Sequence, residues 1–470
     1  MGRIKGGLYS YEQSEGRSSC VLNGTELPIY NKMTYRKIDI ELNKIFVFIF
    51  FALAGLTDVV NGIFVKNELY SSFSVGQFVR LLLILYLLLT IFKFNSIKSI
   101  IIPYVYLTLF YFIAQPLIQF LIHQDVNGLI NDLLMSSRIF LSIMTAIGLY
   151  TLLSHKIINI NTIDRIIDWN IAIIPTSSLI AYFLGIANRT YGMVGIKGFF
   201  IAQNTLSVVL IILFVFVCNK VFMQGINING IIQLFITTVA LVLIGTKSSL
   251  IFPIIIMLFY VFISLKDKQI KPIIFIIILT STVLIVINLF FKSEILEIIL
   301  RQKYFIDQMV KHNNNIFAYL VSGRNRFLQI ALNNFIAKFS FTRLIFGIGE
   351  YAKNVEIASG MMLNSGYKLI EMDIFDLFFG YGLFGLILIV CFYSRLVIMV
   401  IHTHVYENRG LLPYIIALIF AFIHSVFGGH LLYEALPSMF LGIICSRLLY
   451  AVHANSVLNF GRSTLHWLRN

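Results

Sequence analysis

Charge is what this chain has least of. Asp, Glu, Lys and Arg make up only 12% of its residues, where a soluble domain carries about a quarter. A water-facing surface cannot be built from so few, so lipid must be the main solvent. Cysteine is scarce too. Cys20, Cys218, Cys391 and Cys445 include no CxxC pair and sit in no His/Cys cluster, so neither a disulfide framework nor a zinc site is indicated. The first 44 residues lack a compact apolar core followed by a small-residue cleavage site, and no cleaved signal peptide is expected. Repeats of fixed period and low-complexity tracts are missing as well.

What the chain does have is apolar length: 58% of its residues are hydrophobic. Runs long enough to span a bilayer, roughly 17–25 residues each, extend from Ile45–Val65 to Ala435–Val452, about twelve in all. Ile231–Gly245 and Leu250–Leu265 nearly abut. The expected fold is an all-α polytopic membrane protein with one large helical loop. The net charge of +14 does not suggest nucleic acid, because the cations are spread between the spans and read as topology signals and headgroup or phosphate contacts.

The positive-inside rule then sets orientation. With the N-terminus in the cytoplasm, that side holds Lys93, Lys98, Lys156, Arg165, Lys220, Lys266, Lys268, Lys271, Arg409, Arg462 and Arg469. The expected organisation is a cytoplasmic tail (1–44), nine spans (45–291), an outward loop (292–371), three more spans (372–454) and a second cytoplasmic tail (455–470). In the loop, Ser293–Lys311 has the spacing of an interfacial amphipathic helix, and Asn325–Ala337 reads as a second helix.

Four outward constellations break the pattern. The stretch Asn188–Asn204 holds Arg189 and Lys197 among glycines, which suits an anion approached by backbone N–H groups, or else two snorkelling side chains. Gly245-Thr246-Lys247-Ser248-Ser249 puts a cation beside hydroxyls in a tight turn between spans, where it is costly unless paired or facing water. Ser322-Gly323-Arg324-Asn325-Arg326 opens a helix with Arg324 and Arg326 against its dipole, a conflict that a bound anion removes; the bland alternative is a solvated start capped by Ser322. Glu371-Met372-Asp373 and Asp376 lead into Gly380-Tyr381-Gly382-Leu383-Phe384-Gly385. A partly desolvated carboxylate there can serve as general base, or can pair with a nearby cation. Nothing in the spacing demands a metal. Within the spans, Arg80 and Arg138 either complete a cationic cavity or neutralise Asp58 or Asp132. His424 and His430, near a span end, are either structural or acid–base groups.

In order, side and loop size, these segments resemble the bacterial O-antigen polymerase and ligase superfamily. The likeness runs from about Ile166 to Leu386. It is carried by the Arg189 loop leading into Gly198-Phe199-Phe200-Ile201-Ala202-Gln203-Asn204, by the Gly245–Ser249 turn, and by the long loop with Ser322-Gly323-Arg324, Phe346-Gly347-Ile348-Gly349 and the Glu371–Gly385 stretch. Ligases of the superfamily typically carry His where Glu371 stands, so Glu371 looks more like the polymerase branch. Arg189 and Gly198 have eight intervening residues, a loose match to the Arg-x10-Gly element described for polymerases. Lys247 replaces the commoner Arg and keeps only its charge.

The resemblance implies a GT-C-like, metal-independent glycosyltransferase without a cofactor, in the bacterial inner membrane with its site on the periplasmic face. Its substrates would be undecaprenyl-diphosphate-linked oligosaccharides, and it allows a chain-length-regulating partner. In that reading Glu371, Asp373 and Arg324 are the catalytic candidates. Arg189, Lys197, Lys247, Arg326, Arg80, Arg138 and His430 are the substrate-binding candidates. An O-antigen ligase and a flippase for the same lipid-linked saccharides are the alternatives; the lack of paired repeats speaks against a transporter.

Overall fold

A computed structural model describes residues 29–67, 74–94, 101–191, 194–225, 227–266, 278, 281–283, 285–286, 288–311, 322–362 and 366–467. Cys20, Lys98, Gly192, Lys268, Lys271, Arg469 and nearly half of the apolar run at 273–291 lie outside these residues. Among the described residues, nine helices are long and apolar enough to cross a membrane, and a bent pair, Ile40–Ala52 and Ala54–Lys66, makes a tenth. The shorter Ile228–Ile244 helix fits the Ile231–Gly245 run. The chain is an all-α polytopic membrane protein.

The 48° bend in the first span has a local cause. Asn170 Nδ2, from the Ile160–Phe183 helix, donates to the Phe51 carbonyl at 2.8 Å and to Ile166 O at 2.9 Å. A side chain inserted into the helix ladder kinks it, and Gly55 lets that neighbour come close.

Burial is ordered as lipid demands. The helices Gln203–Met223, Ala435–Trp467 and Val126–Ser154 form the centre, and the first of these is apolar on every side. Large side chains such as Phe110, Leu258 and Phe262 point outward, where lipid rather than water receives them. Between helices, small polar groups hold the contacts: Tyr393 Oη donates to Ser142 Oγ at 2.7 Å, and Tyr381 Oη lies 3.0 Å from Ser136 Oγ. Such bonds survive because nothing in hydrocarbon competes for them.

The Asn188–Gly198 stretch is an antiparallel two-strand hairpin (Asn188–Tyr191 with Val194–Gly198). The alternation of Val194 and Ile196 was the one signal for it, too short to stand out beside the spans. The long loop contains helices Lys292–Lys311, Arg324–Ala337, Phe341–Phe346 and Glu350–Gly360, the first two within a residue of expectation.

This loop is threaded into the bundle. The Asp373–His402 helix is broken at Gly382 (φ +66°, ψ −174°), which releases carbonyls that the helix would otherwise use. Segment 346–349 takes them up: Ile348 N donates to Phe379 O at 3.3 Å and Gly349 N to Gly380 O at 2.9 Å. Gln115 Nε2 adds a bond to Gly380 O at 3.1 Å, and Tyr111 Oη one to Tyr381 O. Irregular backbone at this depth is tolerated because protein, not lipid, surrounds it. A Cβ on Gly382 would strike Ile345 O and Gly347 N, and one on Gly347 would strike Gly380. Gly382→Ala is therefore expected to cost about 1–3 kcal/mol from the backbone alone; an unchanged melting temperature of the purified protein would contradict this.

Below the loop lies a buried charge cluster. Lys353 Nζ sits 2.5 Å from Glu350 Oε2 and 2.5 Å from Asp376 Oδ1, and Tyr433 Oη donates to Glu350 Oε1 at 2.7 Å. Asp132, on the Val126–Ser154 helix, accepts from Tyr351 N at 2.7 Å and so caps the Glu350–Gly360 helix from outside. These contacts fix the loop's second half to two spans and to the segment just before the Ala435–Trp467 helix.

Candidate functional site

At the loop end of the bundle is a cavity of about 580 Å³. It lies between the 188–198 hairpin, the 245–248 turn, the two loop helices that carry Arg301 and Arg324, and the 424–430 segment. Lys197, Lys247, Arg301, Arg324 and Lys368 line it, and Glu371 is the one carboxylate among its described lining residues. His424 and His430 complete the polar wall, while Ile201, Ile251, Phe252, Phe327 and Phe427 supply an apolar one.

Three helix N-termini open onto this cavity. Gln203–Met223 begins at Ala202 and Arg324–Ala337 at Gly323, and neither start has a side-chain cap. Lys247–Lys266 begins at Thr246, whose Oγ1 accepts from Ser249 N at 3.1 Å. N-terminal N–H groups and the positive dipole end attract anions. The hydroxyls of Ser207, Thr246 and Ser248 cluster at 2.9–3.3 Å beside them. Lys247 is within electrostatic reach of Arg301 and Arg324. Burial pushes Lys197 below the usual lysine range, and its Nζ donates to Ile201 O at 2.8 Å. So dense a positive field fits a multiply charged anion.

Glu371 is held on all sides. Its Oε2 accepts from Arg324 Nη2 at 2.9 Å and Nε at 3.2 Å, and its Oε1 from Lys368 Nζ at 2.6 Å. Arg324 Nη1 donates to Phe427 O at 3.1 Å. Burial would raise the Glu371 carboxyl, but His430, Arg324 and Lys368 outweigh it and hold the group well below the usual carboxylate range. His430 lies between two carboxylates, 3.9 Å from Glu371 and 4.0 Å from Glu434. Burial would lower its ring, yet these neighbours raise it above the ordinary histidine value.

The backbone is strained here. Ser322, Glu371 and His430 have φ of +54°, +64° and +67°, a region that costs a non-glycine residue about 1–3 kcal/mol. Such strain collects where geometry serves function rather than stability. Gly429 (φ +61°) packs on the Glu371 backbone with no room for a Cβ. Gly429→Ala is expected to displace the Glu371 backbone and lower the melting temperature of the purified protein; an unchanged melting temperature would contradict this.

The sequence candidates divide into two groups. Lys197, Lys247, Arg324, Glu371 and His430 come together around the cavity. Arg189 and Arg326 are exposed and do not line it. Arg80 pairs with Asp58, while Arg138 donates to Tyr433 O at 3.2 Å and lies 3.7 Å from Glu434. Asp373 sits behind the wall: its Oδ2 accepts from Ser425 Oγ at 2.7 Å and from Leu431 N and Leu432 N at 2.9 and 3.2 Å. That clamp positions the His430 segment. Ser322 is not a cap; Gly323 takes the N-cap position.

Sequence reasoning missed Lys368 and Arg301. Lys368, three residues before Glu371, was one lysine among many; Arg301 lies on the polar face of the interfacial helix. Among the described residues no group of three or more His, Cys, Asp or Glu is arranged to hold a metal ion, and the positive charge comes from side chains and helix ends.

No curated protein matches the chain. Residues 299–455 match the family model described as O-antigen ligase like membrane protein. This stretch carries Arg301, Arg324, Lys368, Glu371 and His430 around the cavity. That match supports a likeness of this stretch of the membrane protein to the O-antigen polymerase and ligase superfamily.

Proposed function

We propose that the protein is a polysaccharide polymerase. It moves a growing glycan from undecaprenyl diphosphate onto a lipid-linked repeat unit at the periplasmic face of the bacterial inner membrane. One observation carries the reading: among the described residues, five cations and three helix N-termini converge on one cavity with a single lining carboxylate. The leaving diphosphate gains charge as the glycosidic bond breaks, so fixed positive groups stabilise the transition state more than the bound donor. Glu371 is the base for the acceptor hydroxyl. Arg324, which orients Glu371, also meets the diphosphate with Lys197, Lys247, Arg301 and Lys368. The apolar wall limits water, which would turn transfer into hydrolysis. Glu371 in place of the ligases' His favours the polymerase over the ligase.

The test is to delete the gene and resolve the surface polysaccharide on a gel. A single repeat unit on the lipid core is the expected result. Lipid-linked chains with nothing attached to the core would instead mean a ligase, and repeat units trapped on the cytoplasmic side a flippase.

A further inference from the structure

Glu371 and a diphosphate in this cavity would claim the same cations. Every element packed against Glu371 contributes to its surroundings. The start of the Arg324–Ala337 helix supplies Arg324, bonded to Oε2; the segment before Glu371 supplies Lys368, bonded to Oε1; and the turn after the Leu412–Gly428 helix supplies His430 and the Gly429 backbone. Both carboxylate oxygens are thus occupied, and an occupied carboxylate is a weak base. Arg324 is anchored at a second point, Phe427 O. Lys368 is the more exposed partner. Its side chain is 27% exposed, and its Nζ lies 4.7 Å from the centre of the Phe327 ring, on the cavity wall. An ammonium on a flexible stem transfers between anions more easily than a two-point guanidinium.

We propose that Lys368 is a removable cap on Glu371: the donor's diphosphate draws Lys368 off Oε1, and only then does that oxygen accept the acceptor's proton. The inference rests on the glycosyl-transfer reading above. In the step itself, the acceptor's O–H bond breaks and its proton goes to Glu371 Oε1. The acceptor oxygen bonds to the anomeric carbon, and the bond from that carbon to the phosphate oxygen breaks with its electron pair left on the diphosphate. Lys368, now on that diphosphate, meets the new charge. Donor binding therefore precedes activation of the base.

The cap makes an unusual prediction: the carboxylate that takes the acceptor's proton opposes donor binding. The test uses the full-length protein in nanodiscs with farnesyl diphosphate as probe, followed by calorimetry. Glu371→Gln is expected to bind about tenfold more tightly, because the carboxylate no longer competes for Lys368 and Arg324, and Lys368→Met about tenfold more weakly. The two changes are expected to be non-additive, since they share one contact. Tighter binding by Glu371→Gln supports the cap; unchanged or weaker binding overturns it. A cryo-EM structure of the wild-type protein with the probe bound gives a second readout that needs no variant. Lys368 Nζ on a phosphate oxygen supports the proposal, and Lys368 still on Glu371 overturns it while leaving the transfer reading intact. Failure of the wild-type protein to bind the probe at all overturns both.

Discussion

Glu371→Gln is expected to abolish chain extension and leave the protein folded and inserted. The amide is nearly isosteric, and its oxygen can still accept from Arg324, so the fixed geometry around the left-handed residue persists. What is lost is a group able to take the acceptor's proton, and loss of a general base costs about 10²–10⁴ in rate. At the upper end of that range a polymer ladder collapses to single units. The measurement pairs membrane abundance of the variant with the length distribution of its polysaccharide. Normal long chains at normal abundance would remove Glu371 from the mechanism. Arg324→Ala, by contrast, takes away both the orienting group and a donor contact, so its defect is expected to depend on donor concentration.

Lys353→Met is expected to fail differently, through folding. Lys353 is 2% exposed and stands between Glu350 and Asp376, themselves buried. Removing it leaves two buried carboxylates facing each other without a counter-ion, a change worth about 3–5 kcal/mol. The expected readout is a sharp drop in melting temperature in detergent, with little protein reaching the membrane in cells. The same cluster gives a pH signature. Burial pushes Glu350 up to about 7, against the pull of Lys353, from an ordinary value of 4.5. A carboxyl whose folded value is raised contributes stability below about 4.5 and loses it as pH rises through about 7. The melting temperature of the wild-type protein is therefore expected to fall across that window, and Glu350→Gln to flatten the dependence. A wild-type curve that is flat there would show that the triad carries no extra proton.

The spans were legible because lipid imposes one simple rule, a long apolar run, and the described helices follow it from Ile45 onward. Lys197, Lys247 and Arg324 were legible for the opposite reason. Each sits where topology or the helix dipole disfavours a cation, so each needs an explanation. The Glu350–Lys353 pair was not legible. In sequence, Glu350-Tyr351-Ala352-Lys353 is the first turn of an ordinary polar helix, and only the tertiary fold shows that it is pressed into the bundle. Arg80 and Arg138 show the limit from the other side. Arg80 pairs with Asp58, one of the two partners the sequence offers, but Arg138 turns to Glu434 rather than Asp132, a choice that depends on helix rotation, which a hydropathy pattern this uniform does not encode. The hairpin at 188–198 escaped because two short strands leave almost no period.

The junction between Gly347 and Gly382 has a bearing on modularity. A long extramembrane loop is commonly treated as a detachable part, to be exchanged between relatives in order to exchange specificity. Here the 346–349 segment completes the backbone hydrogen bonding of a broken span, with Tyr111 and Gln115 of another helix as co-signatories. A graft cut at the apparent loop boundaries would sever that joint. The smallest transferable unit is the loop together with the first ten or so residues of the Asp373–His402 helix and the helix face that carries Tyr111 and Gln115. Specificity and membrane architecture have to be inherited together.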